Sequence, residues 1–417
     1  MIKKTSARLV YLILSGGNTL ADTIMFTVNM VYFVEIIGLS PLQLVLVGTV
    51  LEGAILLFEI PTGVLADTIG RKVSIVTGWF IMAGGFLLVG IVPELWAVFI
   101  GQVLWGLGYT FTSGATEAWL ADEIGEDLVG KINIESGQIN RILGLIGSAI
   151  SVAIASVALN LPIVIGGLMY LFLAVFLLFT MPETQFTPRY KSSKSLETPF
   201  QSFIQTFQEG VKAVGKSPIL LALLLVELFI GAASEGYDRL SSAHLLKNFQ
   251  IPPIGALQPV VWFGILNITG SLASFSTTAM FRKKLEVISQ SYQLAARYLV
   301  LLHSLGIAMV VMLALTGNFY AAIAAILVKG VMGALIFPLY NAWLVQNILP
   351  TTRATVISIV GQANAFGQVV GGPGIGAVGN RSLRLAILLT ALLSIPALPL
   401  YTSAQKKQTV FSPESTR

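Results

Sequence analysis

Glu117-Ala-Trp-Leu-Ala-Asp-Glu-Ile124 returns 224 residues later as Asn341-Ala-Trp-Leu-Val-Gln-Asn-Ile348, and Gly137-Gln138-x-Asn140 returns at the same offset as Gly361-Gln362-x-Asn364. Two separate matches at one shift describe two halves of a chain that run in the same direction, as in parallel structural repeats. The phrases sit in long apolar runs, so the repeated unit is a set of hydrophobic helices. A machine that rocks two halves around a central site needs this symmetry, whereas a receptor or channel does not.

Outward from the repeat, the rest of the chain has the same character. Of 417 residues, 55% are apolar and 11% charged, with mean hydropathy +0.82, which excludes a soluble protein. A membrane-crossing helix takes about 20 mostly apolar residues. By that measure twelve spans are expected, near 8–35, 41–66, 72–92, 95–120, 131–158, 161–181, 217–246, 255–281, 293–316, 319–348, 352–378 and 383–403. A polar stretch after Pro182 contains Pro188, a basic and serine-rich cluster through Lys194, and Phe200, Phe203, Phe207 and Val211 at helical spacing, the pattern of an amphipathic surface helix. The expected organisation is an all-α membrane protein of twelve transmembrane helices in two parallel pseudo-symmetric six-helix bundles. Residues 1–182 and 217–417 form the bundles, and 183–216 is a cytoplasmic linker.

Charge fixes the orientation. Of the 25 Lys and Arg residues, 19 fall on the termini and the even-to-odd connections. Only Lys247, Arg381 and Arg384 fall on the opposite side, while Arg141, Arg239 and Lys329 lie inside spans. The positive-inside rule then puts both termini in the cytoplasm of a cell in whose plasma or inner membrane the chain resides. With no cysteine and two histidines, neither a disulfide nor a cysteine- or histidine-built metal site is expected. His244 and His303 have no partner motif for hydrolysis, and no phosphate-binding loop is present, so neither an enzyme nor an ATP-driven pump is expected.

Between the second and third spans the chain reads Gly63-Val-Leu-Ala-Asp67-Thr-Ile-Gly70-Arg71-Lys72. This resembles the signature loop of the major facilitator superfamily, and with the span count the resemblance covers essentially the whole chain. It implies that Gly63, Asp67, Gly70 and Arg71 form a conformational gate, with Glu117 as a further acid for Arg71. The second-half counterpart, Arg282-Lys283-Lys284, keeps the charges without the glycine and aspartate. Glu59-Ile-Pro-Thr-Gly63 and Ala115-Thr-Glu-Ala-Trp-Leu-Ala-Asp122 are similar to the drug:proton antiporter branch that includes bacterial tetracycline and macrolide exporters. One departure is that Gly144-Leu-Ile-Gly147-Ser148 lacks the proline of the antiporter signature, while a comparable glycine run ending in proline, Gly367 to Pro373, is on the eleventh span.

Ionisable groups in the bilayer interior are costly and mark function. Asn18, Asp22, Met25, Asn29 and Tyr32 fall on one stripe of the first helix. Asp22, Glu52, Arg141, Glu227 and Lys329 form the expected proton-coupling charge network, with Asp22 set against Arg141 and Glu227 against Lys329. The expected substrate cavity takes Asn18, Met25, Asn29, Gln102, Trp105, Tyr109, Tyr340 and Asn364, because aromatic faces beside carboxylates suit lipophilic cations. Trp119 and Trp343 read as interfacial belt residues. The functional expectation is proton-coupled export of amphipathic, often cationic compounds by alternating access. It needs no cofactor beyond the proton gradient and no nucleic acid, with a small-molecule substrate and membrane lipid as partners of a monomer. Uptake or facilitated passage of a small solute, and lipid or lysolipid flipping, are the alternatives.

Overall fold

The computed structural model describes residues 2–186, 208, 210–212, 214–255, 258–349 and 352–411. Every regular element among them is a helix. The chain runs α1 (Ile2–Phe26), α2 (Asn29–Glu35), α3 (Pro41–Ile69), α4 (Arg71–Ile91), α5 (Leu95–Ile124), α6 (Glu126–Ala155), α7 (Leu161–Thr180), α8 (Pro218–Asn248), α9 (Val261–Ser289), α10 (Tyr292–Leu315), α11 (Phe319–Gln346), α12 (Arg353–Gly379), α13 (Leu383–Ser394) and α14 (Ala397–Phe411).

Ten stretches among the described residues are long and apolar enough to cross a membrane; α1 and α2 together supply one, from Ala7 to Glu35, and α13 with α14 another, from Leu383 to Gln408. α9 and α12 have the length, at 29 and 27 residues, but are more polar. Apolar side chains are also turned outward, Phe172 and Phe179 of α7 at 68% and 79% exposure, as lipid-facing helices require. The protein is therefore a multi-pass membrane protein. Phe200, Phe203 and Phe207 of the expected surface helix lie outside the described residues, and Val211 is helical and exposed.

Two compact units divide the chain. The first comprises Met1–Leu39, Val50–Ser202 and Pro253–Ile268, and the second Ser40–Thr49, Phe203–Pro252 and Thr269–Arg417. One boundary, after Thr49, falls inside α3 and another, after Ile268, inside α9.

In the first unit the seam between α1 and α6 is polar. The Tyr11 hydroxyl donates to Asn133 Oδ1 at 2.9 Å, Ser136 to Ser15 Oγ at 2.7 Å, and the Asn140 amide to the same Ser15 oxygen at 2.9 Å. Lipid offers no hydrophobic drive between helices, so hydrogen bonds and small residues hold such seams. In the second unit the α8–α12 seam is built from glycine. A Cβ on Gly231 would stand 2.1 Å from the Asn364 carbonyl oxygen, and one on Gly367 would stand 2.1 Å from the Leu228 carbonyl oxygen. The glycine run of the eleventh span thus has a packing role, since only glycine lets these backbones approach so closely.

Two tryptophans expected at the lipid interface are instead core anchors, each 1% exposed. Trp119 Nε1 donates to the Pro182 carbonyl at 2.6 Å, just past the end of α7, and Trp343 Nε1 donates to Gln408 Oε1 at 2.6 Å on α14. The two halves therefore use repeat-equivalent tryptophans to tie down the far end of their last helices. A buried indole usually finds a partner for its N–H, and here the far end of each half's last helix supplies it.

Candidate functional site

Each unit contains a cavity, and the two are built from corresponding elements. In the first unit it lies among α1, α4, α5 and α7, encloses about 340 Å³, and is lined by Tyr11, Asn18, Asp22, Trp79, Trp105, Tyr109, Glu117 and Tyr170 among others. In the second it lies among α8, α10, α11 and α13–α14, encloses about 290 Å³, and includes Glu227, Tyr237, His303, Lys329, Tyr340 and Tyr401. Shifted by the 224 residues of the repeat, α1, α4, α5 and α7 fall on α8, α10, α11 and α13–α14.

In the first cavity the Tyr170 hydroxyl donates to Asp22 Oδ1. Asp22 is 20 residues past the start of α1, so at 1.5 Å per residue it is about 30 Å along that helix. Its ring neighbours form a cluster. Trp79 meets Tyr170 edge-on at 4.7 Å, Phe86 meets Tyr170 at 5.4 Å, and Phe26 stacks on Trp105 at 4.9 Å. Trp79 is 5% exposed and its Nε1 has no hydrogen-bond partner among the described residues, which leaves one indole donor on a ring that lines the cavity. A cavity with two carboxylates, an indole donor and stacked rings can hold a molecule that combines an aromatic body with a cationic or hydrogen-donating group.

The stripe expected along the first helix breaks between α1 and α2. Thr23 and Thr27 bond back to the Thr19 and Thr23 carbonyls at 2.7 Å, and α1 stops at Phe26 before α2 resumes at Asn29. Such back-bonding bends helices and turns the following residues onto a new face. Asn18 and Asp22 reach the cavity. Met25, expected there too, is fully buried, packed where a Cβ on Gly166 would meet its Cγ at 2.1 Å. Tyr32 is fully buried and donates to the Val89 carbonyl at 3.0 Å. Asn29 is half-buried, outside the residues that line the cavity.

The other expected residues divide in the same way. Trp105 and Tyr109 line the first cavity, and Tyr340 lines the second while donating to the Leu223 carbonyl at 2.9 Å. Gln102 is 4% exposed and does not line the first cavity. Asn364 donates to Glu227 Oε2 at 2.6 Å and accepts from Gln368 at 2.9 Å. Its repeat mate Asn140 bonds Ser15, so one asparagine ties α6 to α1 and the other ties α12 to α8. Glu227 and Lys329 share the second cavity, but Lys329 Nζ sits 3.7 Å from the centre of the Tyr237 ring, a cation–π arrangement. Glu52 is half-buried and Arg141 exposed. Tyr170, Trp79, Tyr237, His303 and Tyr401 are cavity residues that sequence reasoning missed, because a ring in an apolar helix gives no sign of which way it faces.

The gate loop is compact. Arg71 pairs with Asp67 one turn away and approaches Asp122 at 3.9 Å. Glu117, expected to serve Arg71, lines the first cavity instead. Gly70 has φ +135°, and the Glu183 carboxylate crowds it, accepting from the Lys72 amide at 2.8 Å. Glu183 thus caps the start of α4, where unpaired amides and the helix dipole favour an anion. Glu123, in the acid-rich stretch from Glu117 to Asp127, is 6% exposed and accepts from the Thr184 and Gln185 amides at 2.5 and 3.1 Å and from the Thr184 hydroxyl at 2.9 Å. Gly63 has open space where a Cβ would stand.

The sequence model described as Major Facilitator Superfamily matches residues 10–287. The chain is 25% identical over 246 residues to the uncharacterized MFS-type transporter YxaM of Bacillus subtilis (strain 168), a match spanning 59% of each chain. Solved structures are alike in fold. They include the nucleoside transporter NupG, with a TM-score of 0.75 at 15% identity, covering 96% of this chain and 99% of that one. A bacterial homologue of the human lysosomal transporter Spinster, inward-facing and unoccupied, scores 0.70 at 14% identity, covering 97% of each. A POT family transporter in complex with 5-aminolevulinic acid scores 0.73 at 12% identity, covering 98% and 96%.

Proposed function

Because this chain belongs to the major facilitator superfamily, a family of membrane transporters rather than enzymes, we propose that it is a proton-coupled exporter of amphipathic, cationic compounds. The reading takes α9 and α12 as spans, which completes twelve in two six-helix halves around residues 1–182 and 217–417, joined by 183–216. At about 1.5 Å per residue both helices exceed the ~30 Å core of a bilayer. It also takes the termini as cytoplasmic, on the charge asymmetry, and the functional unit as a monomer.

The observation that carries it is Asp22, held by Tyr170 in a cavity of aromatic rings that Glu117 also lines, with no Lys or Arg among the described residues of the lining. A desolvated carboxylate binds either a proton or a cationic ligand, and the two compete for it. That competition is exchange: an arriving cation displaces the proton, and a returning proton displaces the cation. Asp67 with Arg71, and Glu183 at the start of α4, supply a polar lock that the cycle opens and closes.

The test uses everted membrane vesicles with an acidified interior and a pH-sensitive dye. Adding tetraphenylphosphonium, a tetracycline or a macrolide should dissipate the gradient with the natural protein and not with Asp22→Asn. No response to any of them, from protein shown to be folded, overturns the reading. In that case solute uptake moves ahead, favoured by the unpaired Trp79 donor and Asn18 in the same cavity.

A further inference from the structure

The cavity of the second unit has the opposite electrostatic sense at one point, and the proposed export of cations does not use it. Lys329 is 10 residues past the start of α11, about 15 Å along it, near mid-depth for a membrane helix. No carboxylate lies within 4 Å of its ammonium among the described residues. Its contact is the face of Tyr237, which offsets only part of the cost of taking a charge out of water. Glu227, which lines the same cavity, accepts from the Asn364 amide at Oε2.

Other polar groups of this lining are engaged internally. Ser234, Thr390, Ser394 and Tyr340 donate to the carbonyls of Gly231, Ala386, Thr390 and Leu223. His303 Nδ1 bonds the Leu299 carbonyl at 3.2 Å. A neutral polyhydroxylated solute would find few partners here. The remaining wall is apolar and includes Ile230, Ile307, Val310, Met332, Ile336 and Phe337. At about 290 Å³ the space is at the small end of ligand pockets.

We propose that this cavity binds a small organic monoanion, its carboxylate on Lys329 beside the Tyr237 ring and its apolar body against the α8–α10–α11 wall. The anion gives Lys329 a direct ionic partner, which Glu227 does not supply within 4 Å, and apolar burial supplies the rest of the affinity. The assignment concerns binding alone and holds whether or not the protein exchanges protons.

Glycine offers a way to block the site without disturbing the fold. Gly306 and Gly333 line the cavity, and a Cβ on either meets nothing within 4 Å, so a side chain there enters empty space. The experiment is calorimetric titration of the purified full chain with 4-phenylbutyrate, and with the uncharged 4-phenylbutanamide of the same shape. The acid should bind at least tenfold more tightly than the amide. Lys329→Gln should weaken the acid at least tenfold while leaving the amide unchanged, and Lys329→Arg should restore part of the loss. Gly333→Leu, melting at or above the natural temperature, should abolish binding of both, and Asp22→Asn should bind the acid normally. Equal affinity for acid and amide in the natural protein overturns the proposal even if Lys329→Gln fails to fold. So does acid binding that survives Gly333→Leu, or that is lost in a folded Asp22→Asn.

Discussion

Tyr170 gives its hydroxyl hydrogen to the carboxylate of Asp22, across the gap between the first and sixth membrane segments of the first half. The residues are 148 apart in sequence, and neither helix shows the pairing by its own pattern. The bond fixes the orientation of the carboxylate that the transport proposal depends on, and it can be removed without removing the ring.

Tyr170→Phe keeps the edge-on contacts to Trp79 and Phe86 and deletes the hydroxyl alone. A hydrogen bond to a charged group contributes about 1.5–3 kcal/mol. Thermal unfolding of purified protein should therefore show a loss of that order for Tyr170→Phe. In a double-mutant cycle with Asp22→Asn the losses should fall short of additivity, because the pair acts as one unit. Additive losses would mean that the two side chains do not interact in the folded protein.

Glycines in this chain divide by what surrounds them. Gly231→Ala drives a methyl group into the Asn364 carbonyl at 2.1 Å, so the α8–α12 seam must open and the melting temperature should fall. Gly63→Ala meets nothing within 4 Å and gains helix propensity, about 1 kcal/mol for an interior position. It should melt at or above the natural temperature. If Gly63 belongs to the gate, the same variant should nevertheless transport more slowly, a split between stability and rate that purely structural glycines do not give.

Glu123 holds the chain beyond α7 by two backbone amides and one hydroxyl. Glu123→Ala leaves these two amides and the hydroxyl without their acceptor. Hydrogen exchange measured on the 181–186 segment should speed up markedly in that variant, while α10 exchanges at its natural rate. Unchanged exchange at Thr184 and Gln185 would contradict the anchoring role.

Trp119→Phe and Trp343→Phe each keep an aromatic ring and lose one N–H bond, to Pro182 and Gln408 respectively. Equivalent positions in a repeat should respond alike. Each variant is expected to lose on the order of 1 kcal/mol in thermal unfolding, the net worth of one neutral hydrogen bond.

The membrane segments were legible because lipid imposes a length and a polarity that composition reveals directly. All twelve expected segments coincide with helices, although α9 and α12 are more polar than a crossing helix usually is. The repeat was legible too, and the paired roles of Trp119 with Trp343 and of Asn140 with Asn364 follow it. Side-chain direction was not. A periodic stripe predicts one face only while the helix continues, and α1 stops at Phe26, so Tyr32 on α2 is carried into the core; Met25, still on α1, is packed against Gly166 of α7. The burial of Glu123 among neighbouring acids was not legible either, because its partners, Thr184 and Gln185, are some 60 residues away and not visible to local reading.

The central claim is that a proton gradient drives cation movement through Asp22. It is tested most directly by uptake of radiolabelled tetraphenylphosphonium into everted proteoliposomes with an acid interior, the membrane potential clamped with potassium and valinomycin. The account predicts accumulation above the external concentration with the natural protein, and filling only to the level of protein-free vesicles with Asp22→Asn. Accumulation by Asp22→Asn equal to that of the natural protein, or none by either when both are folded, would contradict it.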